Sequence, residues 1–291
     1  MKVSGDKATL IERLKECDIS FIARRYRKLN QLDTELVDAA IRTGPLIDPE
    51  AVLKEFADGN LTRKMLFPFG STQSLPIPAP AFDFCLSMIA EREKDICVAY
   101  LESQRQERPG QIAVAKLSFF ALLERDDFLN AATSVPNLMA AKDTEGMLII
   151  PVLREGVYSL VLVNFSGKTV MFFDPRLNSS LPFIVSELPA NCFAKDMIFR
   201  ECVTNFLRHL GCCGAEESWC PEVIRSLYPQ YTEGVEYFEP IEASNAHDSA
   251  IFALTAIDFI SNDVPLIFFR RHLGRLRALL VHQLLCGRFP R

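Results

Sequence analysis

The chain has 291 residues, of which 49% are hydrophobic and 24% charged, and its formal net charge at pH 7 is −5. This composition is that of a globular protein and excludes an intrinsically disordered one, and the acidic balance argues against nucleic acid as the main partner. No apolar run reaches the ~18 residues that a membrane span requires, and the first residues lack the apolar core of a signal peptide. Nine cysteines without a secretion signal favour reduced thiols, so we expect an intracellular protein, nuclear or cytoplasmic.

Residues 1–66 are predicted to be mainly helical and residues 67–80 to be a linker. Apolar residues recur at helical spacing in three segments, and Gly44-Pro45 and residues 58–60 break the pattern. Four prolines make residues 67–80 extended and semi-rigid. We therefore expect an N-terminal helical extension (1–66), a proline-rich linker (67–80) and a main domain (81–291). The three helical segments are residues 6–28, 32–41 and 49–56.

From residue 81 onward, helix and strand patterns alternate. Three consecutive segments carry the clearest sheet signal, because their apolar residues alternate or run without interruption and a polar turn joins the last two. These strands are expected at residues 147–153, 158–164 and 168–174. Further helices are expected at residues 82–92, 112–125, 129–141, 182–188, 193–210, 221–227 and 272–285, and further strands at residues 96–101 and 234–240.

One segment, residues 245–260, is predicted to be the central helix. It opens with a polar turn and continues as a long apolar run, which is typical of a helix buried on nearly all sides. Asp248 and Ser249 lie at its start, where a side-chain oxygen can cap free backbone N–H groups and where a nucleophile is often placed. The fold class is therefore α+β, with a short mixed sheet packed on a central buried helix and helices around it.

Several short motifs occur in an order that points to one family. Ile150-Pro151 lies in a strand, Phe172-Phe173-Asp174 ends the hairpin after it, and Asn245 and Asp248 lie in the turn before Ser249. In this order the residues resemble the ubiquitin-like-protein (SUMO) protease family of cysteine peptidases, which is related to the adenoviral protease. The resemblance covers residues 81–288 and implies a papain-like, adenoviral-protease-like cysteine-peptidase fold.

The resemblance also implies four catalytic positions, and this sequence departs from the family at three of them. The family's His is expected 17 positions before Asp174, where Val157 stands. The Cys position holds Ser249, and the Gln position, six residues earlier, holds Ala243. Of the four catalytic groups, only Asp174 is present.

These substitutions remove the chemistry that the family uses. A thiol attack needs a thiolate generated by a neighbouring imidazole, and a serine hydroxyl depends even more on an adjacent base. Val157 cannot accept a proton, and Ala243 cannot donate to an oxyanion, which costs about 2.7–4 kcal/mol of transition-state stabilisation. His247, the one imidazole close to Ser249 in sequence, lies two residues away, with poor geometry for a general base.

We therefore predict a catalytically inactive homologue, a pseudoprotease that acts as a scaffold or adaptor in a protein complex. Its partner would be a ubiquitin-like modifier, bound without cleavage, or other subunits of the complex. Two alternatives stay open: an active deSUMOylase or isopeptidase-type hydrolase that uses Ser249 or a rearranged site, and a nucleic-acid adaptor that uses the basic segments 24–28 and 270–272.

The resemblance further implies a groove for the C-terminal tail of a modifier. In the family, a Trp and the residues around the Cys line a narrow tunnel. Tyr158 stands at the Trp position, and Ala250 replaces the Gly after the Cys, which would narrow the tunnel. The predicted groove residues are Tyr158, Asn245, His247, Asp248 and Ala250.

No cofactor or metal is predicted. A His, two adjacent cysteines and a later Cys could in principle supply four ligands, but the paired Cys-x2-Cys spacing of zinc sites is absent. We interpret these residues as thiols around the end of a helix. The weak metal candidates are His209, Cys212, Cys213 and Cys220.

Overall fold

The computed structural model describes residues 28–70, 75–102, 110–175, 197–214, 220–223, 247–262 and 272–289. Its strands are β1 Val52–Phe56, β2 Gly59–Thr62, β3 Ile112–Val114, β4 Met147–Arg154, β5 Val157–Asn164, β6 Thr169–Phe173 and β7 Cys220–Val223. Its helices are α1 Gln31–Ile41, α2 Arg63–Leu66, α3 Ala79–Glu102, α4 Ser118–Leu123, α5 Phe128–Ser134, α6 Leu138–Asp143, α7 Met197–His209, α8 Ser249–Ser261 and α9 Leu273–Cys286.

In the described part of the chain, the main sheet has the strand order β3-β4-β5-β6-β7. The inner pairs β4–β5 and β5–β6 are antiparallel, and the outer pairs β3–β4 and β6–β7 are parallel. A two-residue turn joins β4 to β5, and both of its residues, Glu155 and Gly156, have positive φ angles. Such turns match the right-handed twist of the flanking strands, so this hairpin fixes the register in which β5 begins.

Both faces of the sheet are covered by helices. On β5, Leu160 and Leu162 point into a core shared with α3, α8 and α9, whereas Val161 and Val163 point into a second core with α4 to α7. A strand that is buried on both faces reads as a continuous apolar run. That is why this stretch carries a strong strand signal, and the predicted α+β class with a short mixed sheet is confirmed.

The predicted central helix is confirmed as α8. Every one of its residues from Ser249 to Ser261 is buried, and the helix packs against β5, α3 and α9. Near its C-terminal end, Arg92 of α3 donates to the Asp258 carboxylate at 2.5 Å and also to the Ser261 hydroxyl. The same guanidinium lies 3.2 Å from Glu93, so one buried cation stands between two buried carboxylates.

The described residues before position 67 contribute to the same core. Val37 and Ala40 of α1, Leu61 of β2 and Leu66 of α2 are buried together with residues of α3 and α8. The division of the chain into an extension, a linker and a domain stays a prediction. Within the predicted linker, residues 67–69 form a 3₁₀ turn, and α3 already begins at Ala79.

Four local predictions are wrong. Residues 52–56 are a strand and not part of a helix, because Ala57 and Asp58 form a two-residue hairpin turn across which Phe56 pairs with Gly59, the first residue of β2. Residues 96–101 continue α3, because a short apolar run does not by itself distinguish a strand from part of a longer helix. Residues 112–114 form β3, paired with β4, and only Ser118–Leu123 is helical. Residues 220–223 are β7, in which Pro221 is tolerated because β6 is the one described strand that pairs with it.

Other predicted elements agree with the structure or fall outside it. The helices at 32–41, 82–92, 129–141, 193–210 and 272–285 and the three strands between 147 and 174 are confirmed, with shifted ends. Among the described residues, no helix has the length and apolar character that crossing a bilayer demands. The predicted helices at 6–28 and 182–188 and the strand at 234–240 lie outside the described residues, apart from Lys28.

Candidate functional site

The N-terminus of α8 meets the beginning of β5. Ser249 is fully buried, and its Oγ accepts a hydrogen bond from the backbone N–H of Tyr158 at 2.9 Å. Val157, the residue at the predicted base position, directly precedes this N–H and opens the strand. The structure therefore brings two of the predicted catalytic positions to one point, although 91 positions separate Ser249 from Tyr158 in the chain.

The register of the sheet explains why Tyr158 needs an acceptor outside it. Arg154 and Val157 flank the tight turn and pair with each other, so the N–H of the next residue points away from β4. On that side, β6 stops at Phe173, which pairs with Leu160. The N–H of Tyr158 lies past the end of its neighbouring strand, and a buried N–H requires a partner. The Ser249 hydroxyl supplies it.

This contact corrects the predicted capping role of Ser249. The N-cap residue of α8 is Asp248, and no side chain makes a capping hydrogen bond there. The Ser249 oxygen binds an N–H of the strand instead of one of its own helix. Ser249 therefore joins α8 to β5, and its hydroxyl stabilises the tertiary structure and not the helix terminus.

Asp174 lies at the same edge of the sheet. It directly follows β6, and it is buried, with 3% of its surface exposed. Phe173 pairs with Leu160 across the antiparallel strands, so Asp174, the next residue, lies opposite Ser159, near the beginning of β5. Ala243, the fourth predicted position, lies outside the described residues.

An ion pair holds the turn before α8. Arg277 of α9 donates to the Asp248 carboxylate and, at 2.8 Å, to the carbonyl of Pro68. The side chains of Arg277 and Asp248 are only 11% and 16% exposed. Because neither charged side chain is well hydrated, each needs the other as its ionic partner. The ion pair therefore fixes the turn before α8 to α9.

The predicted groove residues differ in their exposure. Tyr158 is 2% exposed and Ala250 is fully buried. His247 and Asp248 are partly exposed, and Asn245 lies outside the described residues. Burial raises the pKa of the Tyr158 phenol well above its usual value, so this hydroxyl stays protonated.

Tyr158 is enclosed by the beginning of α3 and the residues before it. The Phe82 ring stacks on the Tyr158 ring with a centroid distance of 4.4 Å and an interplanar angle of 21°. The Tyr158 hydroxyl donates to the carbonyl of Ile77 at 2.7 Å. Next to Phe82, the Asp83 carboxylate accepts the N–H of Leu117 at 2.9 Å, and burial raises the pKa of Asp83.

Sequence reasoning did not find these enclosing residues. Ile77, Phe82 and Arg277 lie far along the chain from the site, and no local motif marks them. The one available signal was Tyr158 itself, because a buried tyrosine ring needs packing contacts and its hydroxyl needs a hydrogen-bond partner.

The Ser249 hydroxyl has one described hydrogen-bond partner. Of the described residues, the one that hydrogen-bonds to Ser249 is Tyr158, and it does so through its backbone. A serine hydroxyl without an adjacent base is a weak nucleophile. The hydrogen bond between the Ser249 hydroxyl and the Tyr158 N–H therefore joins α8 to β5.

The weak metal candidates occupy separate environments. His209 packs against Phe128, with ring centroids 5.6 Å apart. Cys212 and Cys213 lie near the carbonyls of Leu210 and Thr204, with sulfur–oxygen distances of 4.0 Å. The side chain of Cys220 lies outside the described residues. Among the side chains that are described, no three His, Cys, Asp or Glu groups could hold an ion together.

Comparison with solved structures identifies the fold. The C-terminal Ulp1 protease domain, solved in complex with Smt3, the yeast ortholog of SUMO, aligns with a TM-score of 0.59 and 13% identity over 90% of this chain and 97% of that domain. The Ulp1-like SUMO protease catalytic domain of Chaetomium thermophilum aligns with a TM-score of 0.60 and 15% identity over 91% of this chain and 92% of that one. Ulp1 with its catalytic cysteine oxidised to a sulfinic acid gives 0.59 and 14% over 89% and 96%.

No family model and no curated sequence matches the chain. The 90% of the chain that aligns with Ulp1 is more than residues 81–291 contain, so the match extends into the residues before position 81. The resemblance inferred from the sequence is confirmed at the level of the fold: the chain has the fold of the Ulp1-like SUMO protease domains.

Proposed function

We propose that the chain is a non-catalytic protein-interaction module, a pseudoprotease that serves as a scaffold or adaptor on an Ulp1-like fold. One observation carries the proposal. The hydroxyl at the nucleophile position, Ser249, is fully buried and accepts the N–H of Tyr158. This hydrogen bond joins α8 to β5, so the hydroxyl has a structural role.

The residues around Ser249 support the same conclusion. Val157 stands at the base position and has no group that accepts a proton, and its side chain is buried. Ala243 at the Gln position has no donor for an oxyanion, and each missing donor costs about 2.7–4 kcal/mol. Asp174 without an imidazole to orient has no catalytic role. An active site would need several substitutions and not one.

The solved neighbours suggest the kind of partner. Ulp1 was solved in complex with Smt3, so a ubiquitin-like modifier is one class of protein that this chain would bind. Other subunits of a complex are the second class, and neither needs a cofactor, a metal or a membrane. The described cysteines 85, 202, 212, 213 and 286 are free thiols, which fits the proposed intracellular location, nuclear or cytoplasmic.

The test is an activity-based probe, a SUMO carrying an electrophile at its C-terminus. We expect no covalent adduct with this chain, while an active Ulp1 domain is labelled in a parallel reaction. The Ser249→Ala variant is the matched control. An adduct that forms with the natural chain and disappears in Ser249→Ala would establish a serine-dependent hydrolase and overturn the proposal.

A second experiment identifies the partner. Affinity purification of the full chain followed by mass spectrometry should recover the same proteins with the natural chain and with Ser249→Ala, because the proposed interaction does not use the hydroxyl chemically. Loss of the recovered proteins from Ser249→Ala, with the fold intact by circular dichroism, would mean that this site binds them directly.

A further inference from the structure

We propose that the beginning of α3 closes the tail groove from inside the protein, so that a ubiquitin-like partner is recognised by its folded surface and not by its C-terminal tail. This inference rests on the proposed function for the identity of the partner. The closure itself rests on the burial of Tyr158 and Ser249 and on the contacts that the beginning of α3 makes with Tyr158.

The space that a tail would need is filled. Tyr158, which stands at the position of the tunnel wall, is 2% exposed, and Ser249 and Ala250 are fully buried. A ring with so little exposed surface has protein atoms against both of its faces. A modifier tail would have to lie against this ring and beside Ser249, and both of these residues are already buried within the protein.

One of the covering groups is the side chain of Phe82. Its ring lies 4.4 Å from the Tyr158 ring, nearly parallel, and Phe82 is itself fully buried. Rings at this distance are in van der Waals contact, so no peptide atom fits between them. One face of the Tyr158 ring, which could have formed a wall for a tail, is therefore packed against another ring of the same chain.

The polar edge of Tyr158 is occupied as well. Its hydroxyl donates to the carbonyl of Ile77, and Ile77 is 2% exposed. In a backbone-binding groove, such a hydroxyl could donate to the extended chain of a ligand. Here the residues just before α3 accept that hydrogen bond, so both the face and the edge of Tyr158 are used within the chain.

Further contacts keep the closing residues in place. Asp83, adjacent to Phe82, accepts the N–H of Leu117, which ties the beginning of α3 to the residues before α4. Pro78 and Pro80 flank the first residue of α3 and restrict its backbone. Opening the groove would therefore require more than a side-chain rotation, because α3 carries the covering ring.

The first test measures access to position 249. In a Ser249→Cys variant, labelling by a disulfide reagent of the Ellman type is followed at the peptide that contains residue 249 by mass spectrometry. Cys286, which is exposed, and Cys85, which is fully buried, are reference thiols in the same molecule. We expect the introduced thiol to react on the order of 100-fold more slowly than Cys286, because reaction requires local opening.

The closure is refuted if the introduced thiol of that variant reacts within about tenfold of Cys286, and any slower rate supports it. A Ser249→Cys, Phe82→Ala double variant should react faster than the single variant, because the covering ring is gone. An unchanged rate in the double variant, with the fold intact by circular dichroism, would count against Phe82 as the closing group.

The second test addresses recognition. Calorimetry compares two forms of Smt3, one intact and one from which the C-terminal tail has been removed, each titrated into the full chain. We expect the two dissociation constants to agree within about twofold, because a tail that cannot enter the closed groove adds no contacts. Tail contacts worth about 1.4 kcal/mol would change the dissociation constant tenfold. A tenfold or greater loss on removal of the tail would overturn tail-independent recognition. If neither form binds, the ubiquitin-like partner is wrong, and the thiol labelling still decides whether the groove is closed.

Discussion

The two ends of α8 bury polar groups in different ways. At the N-terminal end, the neutral hydroxyl of Ser249 meets a backbone N–H. At the C-terminal end, Arg92 lies between Asp258 and Glu93, with all three side chains no more than 8% exposed. Desolvated charges cost several kcal/mol each unless they are paired. The most deeply buried ion pairs of α8 are those at the end that joins it to α3, and the pair at its other end, Arg277 and Asp248, is less buried.

This difference bears on function. An active site keeps charge where the reaction needs it, and there burial and charged neighbours shift pKa values. At the start of α8, the groups at the predicted base and nucleophile positions are an aliphatic side chain and a hydrogen-bonded hydroxyl. The buried charge of the helix instead serves its packing. The comparison agrees with the proposal of an interaction module.

The largest effect is expected from Arg92→Met, which removes the buried cation that lies between Asp258 and Glu93. Removing one partner of a buried pair costs about 3–5 kcal/mol, measured by urea unfolding. Lys64→Met is the matched control, because Lys64 and Glu50 pair in water, with 51% and 61% of their side chains exposed, and such pairs contribute at most about 1 kcal/mol. Equal losses in the two variants would mean that the network at the C-terminal end of α8 is not stabilising.

A smaller loss is expected from Arg277→Met at the other end of α8. Asp248 loses its partner in a nearly buried position, and Pro68 loses a hydrogen bond to its carbonyl. Hydrogen bonds to charged groups contribute about 1.5–3 kcal/mol, and the free energy of unfolding should fall by that amount. A loss as large as that of Arg92→Met would remove the distinction between the two ends of the helix.

Ser249→Ala sharpens the comparison further. The N–H of Tyr158 would stay buried without an acceptor, which costs about 1–3 kcal/mol. The control Thr133→Ala removes a hydroxyl from an exposed helix position, where it bonds the carbonyl of Leu129, and should change the stability by no more than about 0.5 kcal/mol. If the two variants unfold at the same urea concentration, the Ser249 contact does not stabilise the fold.

The smallest effect is a pH dependence that comes from Asp83. Because burial raises its pKa in the folded state, the folded protein binds a proton more tightly than the unfolded chain. The stability contributed by Asp83 is therefore greatest at low pH and falls as the pH rises from the ordinary value of 3.8 through the folded pKa. In Asp83→Asn, which keeps an acceptor for Leu117, this decrease should be absent from urea midpoints measured across that window. A decrease that persists unchanged would assign it to another group.

Several features of the fold could be predicted from the sequence because they depend on local periodicity. The strands β4 to β6 and the helix α8 are each buried along their length, and continuous apolar runs mark such elements. The hairpin of β1 and β2, whose turn is Ala57-Asp58, was missed because the preceding residues also fit a helix period. Edge strands of three and four residues, β3 and β7, carry too few residues for a period to show.

The sequence by itself indicated the strands β4 to β6, the buried central helix α8 and, through the family resemblance, the residues expected at the catalytic positions. The tertiary structure alone decided what those residues do. The Ser249 hydroxyl accepts the backbone N–H of a residue 91 positions away. The Tyr158 hydroxyl donates to a carbonyl 81 positions away, and Arg92 pairs with a carboxylate 166 positions away. A side chain's partner across such a distance leaves no trace in the local pattern, because periodicity reports which face is buried and not what lies against it.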